Sequence, residues 1–241
     1  MNKKEIFENA EQLCNAAAAY IVNLSNKCIA KKGRFTIALS GGKTPQKLYT
    51  MLAKAEYTKK LDWKNIFIFW GDERYVPFSD SNNNSHMAKL SLLNNVPVPA
   101  ENIFTIPVNF KPAMAASSYE ATLRTFFKEN IPAFDLILLG IGDNGHTASL
   151  FPFSTILQED KRLVKEVYVD EVKMFRITFT VPLINNAANI LFLVTGKEKS
   201  EIVKKVFSAT KNPEKYPAQL IQGKTIWYLD KAAASQLKIK K

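Results

Sequence analysis

Short apolar segments alternate with stretches of helical periodicity along the chain, and this alternation constrains the fold more than any other feature. The segments Phe35–Leu39, Ile66–Trp70 and Ile190–Val194 have the length and apolar content of buried strands. Strands separated by helices form parallel sheets that are covered on both faces. The chain has too few strand–helix units to form a closed eightfold barrel. The sequence therefore predicts an open, doubly wound, mostly parallel sheet with helices on both faces, in one domain over residues 1–241.

The first two predicted helices follow from spacing and from capping residues. Apolar side chains recur at three- and four-residue steps over residues 6–30, and Gly33 would end this helix. Thr44 and Pro45 then predict the N-cap and the first turn of a second helix, which extends to Ala53.

Later segments predict further strands, one of them antiparallel to its neighbour. Residues 103–106 predict another strand of the sheet, and residues 197–208 predict a helix. Residues 163–169 and 175–180 both resemble strands, and the charged turn between them favours antiparallel pairing of the two.

The formal net charge of +11 favours anionic partners, but the charge is dispersed. Lysine supplies most of it along the whole chain. No basic stripe interleaved with aromatic residues is present, which argues against a nucleic-acid-binding module. The charge instead fits a solvated lysine-rich surface that helps to attract a small anionic substrate.

Three features of the sequence bear on location. No apolar run reaches the roughly 18 residues that a membrane span requires. Glu5, Glu8 and Glu11 fall where a signal peptide would be uncharged. Cys14 and Cys28 lie in one predicted helix, roughly 21 Å apart, too far for a disulfide and typical of a reducing compartment. We therefore expect a cytoplasmic protein without membrane association.

Residues 40–45, Ser-Gly-Gly-Lys-Thr-Pro, follow a predicted strand and open a predicted helix. Glycines let the backbone approach an anion, and the free N–H groups and dipole of the helix attract phosphate. The segment lacks the spacing of a nucleotide P-loop. Taken alone, it fits a phosphate site and a tight strand-to-helix turn equally well.

Residues 71–74, Gly-Asp-Glu-Arg, come directly after another apolar strand. Three charges there fit a solvated loop if the segment is taken alone. Loops at this end of a parallel sheet are where substrates bind, however, so Asp72 and Arg74 become candidate site residues.

Residues 140–145 match the pattern G-x-G-x-x-G after a strand, which is typical of dinucleotide-binding folds. The match comes late in the chain, and Pro152 closes the next segment before a long helix can form. His146 is more informative, because a neutral imidazole accepts a proton near pH 7. The flanking glycines would give a substrate close access to its ring.

Two basic residues, Arg176 and Lys197, complete the candidate set. Arginine forms bidentate hydrogen bonds with phosphate oxygens, and lysine contributes a point charge. Each alone fits surface charge. Only convergence on one pocket would make them ligand-binding groups.

Taken together, these motifs resemble the 6-phosphogluconolactonase family. The resemblance is carried by residues 40–45, 71–77, 84–93, 140–152 and 176–196. Its most specific stretch is residues 145–152, Gly-His-Thr-Ala-Ser-Leu-Phe-Pro, and residues 72–74, Asp-Glu-Arg, support it independently. The resemblance implies hydrolysis of 6-phospho-D-glucono-1,5-lactone to 6-phosphogluconate in the oxidative pentose phosphate pathway, with no cofactor and no metal ion.

Glucosamine-6-phosphate deaminases share this fold and several motifs, and they are the main alternative. They resemble this chain but carry a glutamate at the position of Phe151 and a tyrosine at that of Arg74. Without that carboxylate, ring opening and amine chemistry lose a titrating group, whereas lactone hydrolysis needs one base and charge stabilisation. A non-catalytic sugar-phosphate sensor and a dinucleotide-dependent oxidoreductase are more distant alternatives.

The resemblance also assigns roles to residues. His146 would be the catalytic base, Arg74 would stabilise charge, and Asp72 would position Arg74 or substrate hydroxyls. Asn144 stands where the family usually has aspartate, and it would orient His146 by a hydrogen bond without raising the basicity of the ring. The groups that would bind the substrate and its phosphate are Ser40, Gly41, Gly42, Lys43, Thr44, Asn84, Asn144, Gly145, Arg176 and Lys197.

Overall fold

The structure is a computed structural model that describes residues 3–129, 131–208 and 210–237. Its strands are β1 (Lys3–Phe7), β2 (Phe35–Leu39), β3 (Ile66–Trp70), β4 (Asp72–Arg74), β5 (Leu136–Leu139), β6 (Val164–Val169), β7 (Met174–Phe179), β8 (Ile190–Val194) and β9 (Thr225–Asp230). Its α-helices are α1 (Ala10–Lys32), α2 (Lys43–Leu52), α3 (Ala55–Thr58), α4 (Asn84–Ser91), α5 (Pro112–Phe127), α6 (Val181–Asn185) and α7 (Ser200–Val206).

Within the described residues the main sheet has six strands in the order β1-β9-β8-β5-β2-β3, and each neighbouring pair is parallel. Strands β2, β5 and β8 are buried at every position, as strands covered on both faces require. The predicted open, mostly parallel α/β sheet is confirmed. One buried hydrophobic cluster runs through the described residues, and the single domain over residues 1–241 stays a prediction.

The predicted helix over residues 6–30 is wrong at its start, because the chain begins with strand β1. Ile6 pairs with Leu229 on β9, at the edge of the sheet. Asn9 then caps α1: its side-chain oxygen accepts hydrogen bonds from the backbone N–H groups of Glu11 and Gln12, both at 3.0 Å. Ile6 is in phase with the helical pattern by coincidence, and the cap decides where the helix begins. Gly33 ends the helix in a left-handed conformation, as predicted.

The predicted N-cap at Thr44 is also wrong. Helix α2 begins at Lys43, and its N-cap is Gly42 with φ of 108° and no side-chain hydrogen bond. The Thr44 hydroxyl instead lies 2.7 Å from the hydroxyl of Thr195, which follows β8. This tertiary contact competes successfully with local capping. The helix ends at Leu52, one residue before the predicted end at Ala53.

Two later predictions are corrected and one is confirmed. Residues 103–106 form no strand, because only an isolated bridge joins Ile103 to Ile68. The predicted helix over residues 197–208 starts as a 3-10 turn, Lys197–Lys199, and continues as α7. The antiparallel pairing of β6 with β7 is confirmed, and β4 joins them in a three-stranded sheet.

Cys14 is buried and Cys28 is partly buried, and both are free thiols. In the part of the chain that the structure describes, no helix has the length and apolar character needed to cross a bilayer.

Candidate active site

A cavity of about 670 Å³ opens at the carboxyl ends of the parallel strands. Strand β2 has β3 on one side and β5 on the other, so the order of strand addition reverses beside β2. Open parallel sheets bind ligands at such a switch point. The loops after β2, β3, β5 and β8 all reach the cavity. The predicted site residues that line it are Ser40, Gly41, Gly42, Lys43, Thr44, Asp72, Arg74, Asn84, His146 and Arg176.

The loop after β2 presents the amino end of α2 to the cavity. Gly42 adopts a positive φ that favours glycine. Because glycine has no side chain, the first N–H groups of α2 have no capping side chain. The Tyr49 hydroxyl holds the loop from behind, accepting from the Ser40 N–H at 3.0 Å and donating to the Ser40 carbonyl at 2.8 Å. Uncapped N–H groups at a helix start, together with the helix dipole, form a site for an anion.

Arg74 and Arg176 bring two positive charges to one wall of the cavity. The two residues are directly paired across β4 and β7. The Arg74 Nη1 donates to the Asn82 carbonyl at 2.7 Å, whereas the buried Arg176 Nε has no hydrogen-bond partner among the described residues. Burial, followed by the charge of Arg74, lowers the pKa of Arg176. A half-buried guanidinium with an unused, buried Nε donor is suited to an anionic ligand.

His146 sits at the floor of the cavity between three neighbours. Asn144 Oδ1 accepts a hydrogen bond from the backbone N–H of His146 at 3.1 Å and lies 2.7 Å from its Nδ1. A backbone N–H always donates, so the amide atom that it contacts is the oxygen of Asn144 rather than the nitrogen. The same oxygen lies beside Nδ1 and can only accept, so Nδ1 carries the proton. The Nε2 lone pair is then free. The expected hydrogen bond between His146 and Asn144 is therefore present, with His146 as the donor.

The remaining neighbours of His146 fix its ring and its charge. Phe151 stacks on the ring with 4.2 Å between centroids, and a Cβ on Gly142 would lie 2.0 Å from the ring Cε1. Burial lowers the pKa of His146 to about 4, and the charges of Lys199 and Arg176 act in the same direction. The imidazole is therefore neutral at physiological pH and can accept a proton.

Asp72 and Asn84 also line the cavity. The Asp72 carboxylate accepts a hydrogen bond from the Ser149 hydroxyl at 2.7 Å, and Asn84 Nδ2 donates to the Asp72 carbonyl at 3.0 Å. The buried Asn84 Oδ1 and Ser40 hydroxyl have no hydrogen-bond partners among the described residues. Gly41 is required beside them, since a Cβ there would lie 2.0 Å from Asn84 Oδ1.

Glu73 supports this wall from inside the protein. It is fully buried, and its carboxylate accepts from the backbone N–H groups of Arg74, Asn84 and Ser85 and from the Ser85 hydroxyl. Burial raises the pKa of Glu73 to about 7 although these four donors oppose the rise. The residue fixes the start of α4, and with it the position of Asn84.

Three of the predicted site residues do not line the cavity: Asn144, Gly145 and Lys197. Asn144 instead contacts His146. Gly145 has φ of 89°, and its carbonyl accepts from the Ala218 N–H at 3.0 Å, so it shapes the loop. Lys199 lines the cavity instead of Lys197, and its Nζ lies 2.5 Å from the Asp143 carboxylate.

Sequence reasoning missed Lys199, Ser149 and Thr195 among the cavity residues. No local signal separates Lys199 from Lys197, because both lie in one 3-10 turn whose orientation depends on tertiary packing. Ser149 lies within the most specific motif, but the sequence does not show that it contacts Asp72 on another loop. The glycine-rich loop after β5 leads into turns rather than an α-helix, so it lacks the helix terminus of a dinucleotide site.

No group of three or more histidine, cysteine, aspartate or glutamate side chains in the described residues is arranged to hold a metal ion. The fold is that of an α/β protein with a candidate anion-binding site at the switch point of its sheet.

Comparison with known proteins assigns the family. The sequence profile described as glucosamine-6-phosphate isomerases/6-phosphogluconolactonase matches residues 8–227, and the chain belongs to this family. The 6-phosphogluconolactonase of a Synechocystis species is 42% identical over 97% of this chain and 98% of its own length. That of a Nostoc species is 40% identical over 98% of both chains. The solved 6-phosphogluconolactonase from Trypanosoma cruzi is 27% identical, with a TM-score of 0.87, over 99% of this chain and 98% of its own. The resemblance inferred from the motifs is confirmed.

Proposed function

We propose that this chain hydrolyses 6-phospho-D-glucono-1,5-lactone to 6-phospho-D-gluconate, the second step of the oxidative pentose phosphate pathway. The observation that carries the proposal is the packing of Phe151 on His146. An aromatic ring occupies the position where the deaminases that this chain resembles carry a glutamate. The site therefore holds one neutral base in a cavity that Arg74 and Arg176 also line, which suits lactone hydrolysis rather than amine chemistry. The full-length similarity to named 6-phosphogluconolactonases supports the same conclusion.

The phosphate of the substrate binds at the cationic end of the cavity. Arg176 offers its unused Nε donor to the phosphate. Lys199, rather than Lys197 as the sequence suggested, contributes a lysine charge to phosphate binding. The backbone of Gly42, Lys43 and Thr44 contributes N–H groups at the start of α2. Binding at this end places the lactone carbonyl between Arg74 and His146.

The reaction is an addition followed by an elimination. Water attacks C1 of the lactone while Nε2 of His146 takes one of its protons. Arg74 stabilises the negative charge that develops on the carbonyl oxygen. The bond from C1 to the ring oxygen then breaks, and the imidazolium returns its proton to that oxygen, leaving a hydroxyl and a carboxylic acid that ionises. General-base assistance of this kind contributes roughly 10²- to 10⁴-fold.

The remaining polar groups recognise the sugar hydroxyls. Asp72 is held by Ser149 and accepts hydrogen bonds, and the unpaired oxygens of Asn84 and Ser40 face the same space. Gly41 allows Asn84 to approach, and Gly145 turns the loop that carries His146. These groups orient the lactone ring so that C1 faces the base.

The test compares freshly made lactone turnover by the native protein, His146→Ala and His86→Ala. The chain has two histidines, and His86 does not line the cavity but packs on Phe78 with 5.5 Å between ring centroids. We expect His146→Ala to lose at least about 100-fold in kcat, and His86→Ala to stay near the native rate. Equal rates for the native protein and His146→Ala would remove the proposed base. Absence of turnover by the native protein would remove the proposed function.

We further propose that the chain acts in the cytoplasm as one domain. Two free cysteines are typical of a reducing compartment. Both sheets pack on the same hydrophobic cluster, which favours cooperative folding of the whole chain.

A further inference from the structure

Asn144 links the proposed base to a carboxylate on a different loop. While its Oδ1 accepts from the N–H and Nδ1–H of His146, its Nδ2 lies 3.2 Å from Oε2 and 3.5 Å from Oε1 of Glu171. Glu171 lies in the turn Asp170–Val172 between β6 and β7. The three side chains therefore form a continuous hydrogen-bonded series that ends on the ring of the base.

An asparagine at position 144 needs this partner for a reason that an aspartate does not. The two oxygens of an aspartate are equivalent, so either one accepts a hydrogen bond from the ring. An asparagine that turns over presents its NH₂ group to Nδ1 of His146 instead. Nδ1 would then have to accept, which moves the ring proton to Nε2 and removes the lone pair that takes the proton from water. Glu171 opposes this rotation because it binds the NH₂ group on the other side.

The other charged groups near the ring do not supply this acceptor. Arg74, Arg176 and Lys199 are cationic, and the Asp143 carboxylate is paired with Lys199 at 2.5 Å. The backbone N–H of His146 helps to hold Oδ1 in place, but it does not bind the NH₂ group. Among the hydrogen bonds of the described residues, Glu171 is the acceptor for Asn144 Nδ2.

We propose that Glu171 is a positioning residue: its carboxylate holds the Asn144 amide in the orientation that keeps the proton on Nδ1 and the lone pair on Nε2 of His146. This inference rests on the proposed role of His146 as the base. It explains how the site functions with asparagine where its family usually has aspartate. It also has a sharp consequence, because an aspartate at position 144 makes Glu171 dispensable.

The kinetic test uses Glu171→Ala, Glu171→Gln and the neighbouring exposed Asp170→Ala as a charge-matched control. We expect Glu171→Ala to lower kcat by about 3- to 10-fold with little change in KM, as befits one solvent-exposed hydrogen bond. Glu171→Gln retains most of the activity because its amide oxygen still accepts, and Asp170→Ala behaves like the native protein. In an Asn144→Asp background, Glu171→Ala causes no loss. An equal loss in both backgrounds, or no loss in the native one, would overturn the proposal.

A second measurement reads the tautomer directly and does not depend on activity. The two histidines of the chain can be distinguished in a proton–nitrogen NMR spectrum of the imidazole rings, with His86 as the internal reference. We expect the Nδ1–H tautomer of His146 in the native protein and a mixture of tautomers in Glu171→Ala. An unchanged tautomer in Glu171→Ala contradicts the role of Glu171. This result does not depend on whether kinetics identify His146 or another residue as the base.

Discussion

Arg74 and Arg176 lie directly opposite each other across the antiparallel β4–β7 pair. Like charges in this relationship destabilise a sheet, and the partial burial of Arg176 adds to the free-energy cost. Neither charge is neutralised within 4 Å by a carboxylate in the ion pairs that the structure describes. We therefore expect an anion to bind here, and bound phosphate would relieve the repulsion between the two guanidinium groups.

The first prediction concerns Arg176. We expect Arg176→Gln to raise the KM for the lactone by about 10- to 100-fold, the range of a hydrogen bond to a charged group, with a much smaller change in kcat. Inorganic phosphate should raise the melting temperature of the native protein more than that of the variant. Arg34→Gln is the control, since Arg34 packs over the ring of Phe126 and does not line the cavity. An unchanged KM in Arg176→Gln would exclude Arg176 from phosphate binding.

The second prediction concerns pH. The pKa of His146 is lowered from 6.5 to about 4, so the imidazole is neutral at pH values above about 4. We therefore expect kcat/KM to fall as pH falls through about 4. The unfolded chain binds this proton at higher pH than the folded chain. The free energy of unfolding should therefore decrease as pH falls from about 6.5 to about 4, by up to about 3 kcal/mol.

Urea denaturation across this pH range measures the effect, with His146→Gln as the reference protein that lacks the titrating group. A native protein whose pH dependence matches that of His146→Gln would contradict the depressed pKa.

The third prediction concerns Gly142, which leaves room for the base. Gly142→Ala places a Cβ 2.0 Å from Cε1 of His146 and must displace the ring. We expect a loss of roughly 10²- to 10⁴-fold in kcat, comparable to removal of the base. Gly71→Ala is the control, since Gly71 does not line the cavity and its Cβ would make only ordinary van der Waals contacts, the nearest at 3.8 Å. Similar kinetics for the two variants would show that the contact with the ring is not important.

The fourth prediction separates two nearby lysines. Lys199 lines the cavity and Lys197 does not. Lys199→Ala should raise the KM for the lactone by about 10-fold or more, because it removes the charge that we propose contacts phosphate. Lys197→Ala removes the same charge two positions away and should leave the KM near the native value. Steady-state kinetics of both variants at equal ionic strength test this, and the reverse order would restore the assignment made from sequence.

Much of the fold could be predicted because it depends on local pattern. The segment Ile190–Val194 is apolar at every position, and such a strand is stable only when both faces are covered. The start of α1 could not be predicted in this way, because Ile6 satisfies the helical spacing and the strand spacing equally. Ile6 belongs to a strand because it pairs with β9, more than two hundred residues later in the chain.

The sequence by itself determined the class of the sheet and the loops that line the cavity, and it singled out His146 as the proposed base. These depend on residue type and on order along the chain. Only the tertiary structure decided that Arg74 opposes Arg176, that Lys199 enters the cavity in place of Lys197, and that Glu171 binds Asn144. The physical reason is that each of these is a contact or an orientation set by packing between separate elements. A strand register or the rotation of one turn fixes which side chain points inward, and no local pattern encodes it.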